Sequence, residues 1–290
     1  MFEQQSEPLF EEEGHGDERR KVVRTGLLIL VVLAVLAGLY YFLIYRRGRP
    51  AAEEVKPSAA VTQPAEAPTG TEEADLLKLP PLELDRSDDL LRELVGGLSS
   101  HPRLAVWLRT SEIIRKFVAA VDNIANGISP KAQVDFFTPA GRFKVVRRDG
   151  RMTIDPTSYD RYTTLADVFI TIDTPSAARL YRSLRPLIGE AYRDLGYPGQ
   201  NFDDTLLRAI IELLDVPIIE GRVPVERTIT NYVYLDPALE GLSPAQKQFL
   251  RLGPENVQVI QTKLREIALA LRFPESRLPK SRFYTPTTGR

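Results

Sequence analysis

A mainly α fold is what this sequence predicts: a multi-helix soluble domain with one or two short β-hairpins, behind one N-terminal transmembrane helix. Three observations lead there. A single uninterrupted apolar run lies near the N-terminus. Beyond residue 85, proline repeatedly follows a residue able to cap a helix. Apolar residues then recur at alternating spacings of three and four.

The apolar run occupies residues 22–45. From Gly26 to Ile44 it carries no charge, and at 1.5 Å per residue it covers about 29 Å, close to the hydrocarbon thickness of a bilayer. Arg19, Arg20, Lys21 and Arg24 flank one end, and Arg46, Arg47 and Arg49 the other. Tyr40, Tyr41 and Tyr45 gather where amphipathic rings sit at headgroup level. A cleavable signal peptide has a shorter apolar region and a small-residue cleavage site, so an uncleaved signal-anchor is the expectation. Ala34 and Gly38 form a small-xxx-small pair that would permit homodimerisation through the span. Flanking basic charge ties at four each side, so orientation rests on architecture: a short tail in the cytoplasm and a large domain outside.

Residues 1–21 form an acidic tail, with seven carboxylates in the first 18 positions and too little apolar matter to fold. Residues 46–81 are an Ala/Pro-rich linker, in which repeated proline favours extended chain. Residues 82–272 are the α-rich domain, and 273–290, rich in Pro and Arg, are expected to be a flexible tail.

Inside the domain, Ser129-Pro130, Asp155-Pro156, Thr174-Pro175, Asp236-Pro237, Ser243-Pro244 and Gly253-Pro254 mark helix starts, each proline sitting where an N–H would be unsatisfied anyway. Ser243 with Gln246 adds a capping box. Four faces follow: Ile113, Phe117, Val121 and Ile124; Tyr159, Tyr162, Leu165 and Phe169; Ala177, Tyr181, Leu184, Ile188, Ala191 and Leu195; and Val257, Ile260, Leu264, Ile267 and Leu271. Pro186 falls within the third and is expected to kink or divide it. Arg148-Asp149-Gly150 is a hairpin turn between β-prone segments. Residues 223–228 and 229–235 are a second β-prone pair, with Pro224 confining the first to an edge.

Composition removes whole classes of chemistry. Without cysteine there is no disulfide, thiol catalysis or Cys-zinc site. His15 and His101 are the two histidines, too few for a His-based metal cluster, and His101 before Pro102 reads as a turn residue. Residues 72–290 hold 30 of the 38 basic and 29 of the 39 acidic residues, so no basic domain calls for nucleic acid. Neither a Gly-rich phosphate loop nor a Gly-x-Ser-x-Gly elbow is present, and no cofactor is implied.

The chain resembles one bacterial family, the domain of unknown function numbered 3014, across roughly residues 79–271. The likeness lies in Pro80-Pro81-Leu82, Ser87-Asp88, His101-Pro102 and Phe117-Val118-Ala119-Ala120-Val121-Asp122-Asn123. It continues in Asp155-Pro156-Thr157-Ser158-Tyr159, Arg161-Tyr162, Glu190-Ala191-Tyr192 and Gly196-Tyr197-Pro198. Phe202-Asp203, Ser243-Pro244-Ala245-Gln246-Lys247 and Gly253-Pro254-Glu255-Asn256 complete it. The resemblance implies a Gram-negative-type envelope protein with one anchor; taken with the architecture above, the anchor is expected in the inner membrane and the domain in the periplasm. It implies no activity and no catalytic residues.

Asp203-Asp204 reads as first-turn acid complementing a helix dipole, and Asp122-Asn123 as a helix end before Gly127. The candidate partner surface is Arg182, Arg185, Glu190, Tyr192 and Tyr197, where residue types enriched at interaction hot spots surround Pro186. The expected protein is therefore not an enzyme. It is a single-pass membrane protein presenting an interaction domain to an envelope protein partner. The alternative is a ligand-binding domain or enzyme centred on the Pro186 kink. Converging Arg185, Glu190 and Tyr192 in a deep pocket would favour the alternative, a flat apolar patch the first.

Overall fold

Proline fixes where most of the helices begin. The computed structural model describes residues 76–137, 139, 141–148 and 150–287, all within the unit that runs from Glu66 to Arg290. Among these residues are nine α-helices: α1 (Asp88–Gly96), α2 (Pro102–Trp107), α3 (Ile113–Ala125), α4 (Thr163–Ile170), α5 (Thr174–Asp194), α6 (Phe202–Leu214), α7 (Pro237–Glu240), α8 (Pro244–Leu250) and α9 (Pro254–Ala270). Helices α2, α7, α8 and α9 start on the proline itself. Ser243 and Gln246 close the capping box on α8, and the His101 ring accepts from the Arg103 amide at 3.1 Å, a cap on α2. Pro130 and Pro156 open single 3₁₀ turns rather than α-helices. One cap shifts by a residue: α5 is capped by Asp173, which accepts from Ser176 at 2.9 Å, and Thr174 is already helical. A carboxylate is the better cap, because its charge also meets the positive end of the helix dipole.

The division expected at Pro186 does not occur. Helix α5 runs unbroken across Pro186, because Leu184, Leu187, Ile188, Ala191 and Tyr192 on both sides of it are buried in the same core. That packing outweighs the hydrogen bond which proline cannot donate. Helix α3 lacks a cap of its own: Glu112, at φ +56°, precedes it, and Asp88 from α1 accepts from the Glu112 and Ile113 amides at 2.7 and 2.9 Å.

Strands are short and paired in twos. β1 (Val145–Arg148) and β2 (Arg151–Ile154) form one hairpin, turned at Gly150 with φ +75°. β4 (Val225–Arg227) and β5 (Tyr232–Tyr234) form the second. The hairpins meet at an antiparallel bridge between Thr153 and Pro224, beside which Ile154 N–H donates to the Val223 carbonyl. Proline has no N–H, so the seam goes no further on its side.

Two main cores result. The first gathers Leu91, Val118, Leu184, Tyr192, Phe202 and Ala209 from α1, α3, α5 and α6. The second gathers Ile154, Tyr162, Val225, Phe249, Val257 and Ile260 from the hairpins, α8, α9 and the turn before α4. Leu79 and Leu82 pack on the first core, and Leu77 N–H bonds Ser183 Oγ at 2.9 Å, so ordered contacts begin ahead of residue 82.

The expectation of a flexible segment after residue 272 is corrected. β6 (Phe283–Tyr284) pairs in parallel with β3 (Ile218–Ile219), and Leu278 is buried against Leu207, Leu214 and Ala268. The Asp236 carboxylate caps α7 and also accepts from Tyr284 Oη at 2.8 Å and Thr287 N at 2.7 Å. Apolar and charge-assisted contacts together hold a stretch whose composition reads as loose.

Among the described residues no helix is long and apolar enough to cross a membrane. The expected span at 22–45, the acidic tail and the linker up to residue 75 lie outside the described residues.

Candidate functional site

Helix α3 packs on the first core through Ile114, Val118 and Val121, and Phe117 meets the Phe202 ring at 5.8 Å between centroids. Phe117, Val121 and Ile124, from the stripe read in the sequence, also border a cavity, and Phe117 is 39 % exposed. The cavity measures about 750 Å³ and lies between α3, α4, α8, α9 and the two hairpins. Leu165 and Phe169 of α4, Phe143 and Tyr232 of the hairpins, and Leu264 of α9 continue its apolar wall.

Residues 130–137, 139 and 141–143 contribute one side of it. Among the contacts that hold this side, Asn123 Nδ2 bonds Gln133 Oε1 at 2.9 Å, and the Trp107 ring meets Phe137 edge-on at 4.6 Å between centroids. Phe143 then stacks obliquely on Tyr232, 5.3 Å away, tying this side to the second hairpin.

Few polar groups reach this wall, and two of them are arginines. Arg161 is positioned by its Nε bond to the Ser158 carbonyl at 2.9 Å and lies over the Tyr162 ring at 5.2 Å. Arg251 follows α8, and its guanidinium lies near Tyr234 and Glu240. The Tyr234 hydroxyl is buried and has no hydrogen-bond partner. Burial pushes it above the usual phenol range, while Arg251 close by pulls the other way. A buried hydroxyl without a partner costs roughly 1–3 kcal/mol. Such groups are uncommon in folded proteins and mark places where something else completes the bonding.

Chemically, the wall combines a wide apolar surface with the cationic groups of Arg161 and Arg251. Among the described residues no group of three or more His, Asp or Glu is arranged to hold a metal ion.

The five residues expected as a partner surface lie elsewhere, and of them Tyr192 and Tyr197 are brought together. Tyr192 is 1 % exposed, so it is not a surface residue: its hydroxyl meets Thr205 Oγ1 at 2.8 Å and its ring stacks on Tyr197 at 4.7 Å. Tyr197 is half-buried and donates to Asp122 at 3.3 Å. Arg182 donates to the Ala270 carbonyl at the end of α9, at 3.2 Å. Arg185 pairs with Asp203 at 3.0 Å, above the Tyr181 ring, and Glu190 is half-buried. None of the five lines the large cavity. As expected, Asp203 and Asp204 open α6 behind the cap from Asn201.

Sequence reasoning passed over Arg251 and Tyr234 altogether. Arg161-Tyr162 did stand among the residues that carry the family likeness, and that was the available signal.

The family model described as protein of unknown function (DUF3014) matches residues 113–268, just over half of the chain. The match begins with α3 and stops within α9, and every residue lining the cavity falls inside it. No curated protein and no solved structure matches the chain.

Proposed function

The chain belongs to the DUF3014 family, and from that premise we propose that it acts by binding, its ligand being a small amphiphile held in the cavity. The apolar part of the ligand fills the space between α3 and α4. Its anionic end lies against Arg251 and Arg161 and gives the Tyr234 hydroxyl an acceptor. One observation carries this reading: a cavity of about 750 Å³, walled mostly by aliphatic and aromatic side chains, has an orphaned hydroxyl and two arginines at its wall. That volume is within the range of roughly 300–1,000 Å³ that small-molecule sites occupy. A protein partner on α5 has less in its favour, since Tyr192 and Tyr197 are engaged inside the first core.

A tether completes the proposal. Residues 22–45 span the inner membrane, the N-terminus stays in the cytoplasm, and the linker carries the domain into the periplasm. Protease added to spheroplasts then releases the domain; protection there, with cleavage in inverted vesicles only, overturns this orientation.

The cavity is tested with a dansyl-labelled fatty acid added to the purified chain. Its emission should rise and shift to the blue on binding. Arg251→Gln should weaken binding about tenfold or more, the loss of one hydrogen bond to a charged group. Leu264→Trp, which fills the space, should abolish it while circular dichroism stays unchanged. No uptake by the native chain, or uptake that ignores both substitutions, sinks the reading.

A further inference from the structure

The two hairpins share an end. Because the bridge between Thr153 and Pro224 is antiparallel, β4 runs opposite to β2, and the turn at Gly150 and the turn at residues 228–231 therefore lie side by side. Basic residues crowd this end. Arg147 and Arg151 flank the first turn, and Arg227 closes the second. Arg147, Arg151 and Arg227 are exposed and form no ion pair among the described residues. Glu226, exposed on β4, is an acid beside them.

Amid this charge stands Ile229, fully exposed at 101 % in the second turn. That turn is not loose: Thr228 N–H bonds the Asn231 carbonyl at 2.8 Å, and the Thr228 hydroxyl bonds it again at 3.0 Å. An apolar side chain is thus displayed on a built turn. The next residues, Thr230, Asn231 and Tyr232, line the cavity.

We propose that this paired-hairpin end docks on an anionic bilayer surface, with Ile229 entering the headgroup region and the arginines holding lipid phosphates. The inference rests on the cavity reading for its consequence: the ligand of the cavity is a lipid-derived anion taken up at this end. Charge complementarity selects the occupant. Cations alone would suit nucleic acid or an acidic protein equally, whereas a protruding isoleucine on the same hairpin end as exposed arginines suits an interface whose surface is anionic and whose interior is apolar. Arginine also forms the bidentate bonds that phosphate oxygens accept.

The chain has no cysteine, so Ile229→Cys gives one labelling site in the full protein. The full chain is inserted in nanodiscs, and an environment-sensitive fluorophore at position 229 is read against a quencher carried on the lipid. Strong quenching is expected in bilayers rich in phosphatidylglycerol and little in phosphatidylcholine alone. A label at exposed position 193 should report no difference. With Arg147→Glu and Arg151→Glu together, quenching at position 229 should fall at least about tenfold. Equal quenching in both bilayers, or none in either, overturns the proposal. A response to added DNA or polyglutamate in place of the bilayer overturns it in favour of another partner. The charge-reversed protein should still take up the dansyl fatty acid. Lost uptake with docking intact sinks the cavity reading instead, so the two failures are distinguishable.

Discussion

Tyr192 and Tyr234 are both buried tyrosines, 1 % and 7 % exposed, yet their surroundings differ in kind. Around Tyr192 the contacts are made: its hydroxyl shares a hydrogen bond with Thr205 Oγ1, Tyr197 stacks on one face and Phe202 meets an edge at 5.2 Å. Around Tyr234 the hydroxyl has no partner and the packing gives way to a cavity. The first core is filled and the second is hollow, although both are built from leucine, isoleucine, valine and aromatic rings. Filling gives stability. A hollow core gives up some of that stability for room to bind.

The largest effect that separates the two cores is cavity creation. Tyr192→Ala should cost about 3–5 kcal/mol in denaturant unfolding, as truncation of a fully packed aromatic does. Phe169→Ala, whose ring already borders empty space, should cost about 1–2 kcal/mol, because fewer contacts are there to lose. Equal costs would mean that the second core is as tightly filled as the first.

Acid should act on the two cores with opposite sign. Burial raises Asp236, but bonds from Thr287, Tyr284 and Leu239 outweigh it and leave the carboxyl below its ordinary range. Glu240 is held low in the same way, burial being outweighed by Lys247 and the Tyr234 amide. Groups depressed on folding contribute fully above their unfolded values, about 3.9 for Asp and 4.3 for Glu, and that stability is lost as pH falls through the folded values. Asp122, beside the first core, is shifted up: burial dominates the bonds from Tyr197 and Asn126. Its cost is present above its folded value and disappears as acid protonates it. Hydrogen exchange, corrected for intrinsic rates, should show β3, α7 and residues 278–287 losing protection as pH falls below about 4.5, before α3 and α6 do. Asp236→Asn should remove about 1.5–3 kcal/mol and most of the acid sensitivity of that region. Simultaneous loss across both cores would contradict the contrast.

The smallest effect is the sharpest. Removing one oxygen by Tyr192→Phe should cost about 1 kcal/mol, since a satisfied hydrogen bond is lost. The same change at Tyr234 should cost nothing or stabilise by up to about 1 kcal/mol, since an orphaned hydroxyl is lost. If the two substitutions cost the same, the Tyr234 hydroxyl is satisfied after all.

Much of this architecture is local and was therefore readable. Proline after a cap residue marks helix starts because both effects act within one turn, and the Arg148-Asp149-Gly150 turn is equally local. Capping could be misplaced by one residue, as at Thr174, because Asp173 and Thr174 both accept hydrogen bonds and only geometry chooses between them. The segment after residue 272 was misread because its hold comes from far along the chain: β3 lies more than 60 residues earlier, and Asp236 about 50. Helix α3 shows a deeper limit. The periodicity of Phe117, Val121 and Ile124 correctly identifies an apolar face, yet periodicity does not say whether such a face meets side chains or space. A cavity is a mismatch of volumes between distant elements, and no residue pattern records it. Arginine and tyrosine near Pro186 carried hot-spot composition, but Tyr192 and Tyr197 are used to lock α5 against α6.

The seam at Pro224 has a mechanical meaning. A four-stranded sheet resists bending because its ladder bonds must fail together, and here the middle ladder is reduced to a single bridge at Thr153. Each hairpin is stiff along its own length, while the line between them is compliant. Phe143, just ahead of one hairpin, meets Tyr232 of the other, and both line the cavity. Separating the hairpins would break this ring contact, the bridge and the Ile154–Val223 backbone bond while leaving both hairpin ladders intact. Proline, by withholding a single hydrogen, leaves one bridge where a ladder could have continued beside the cavity.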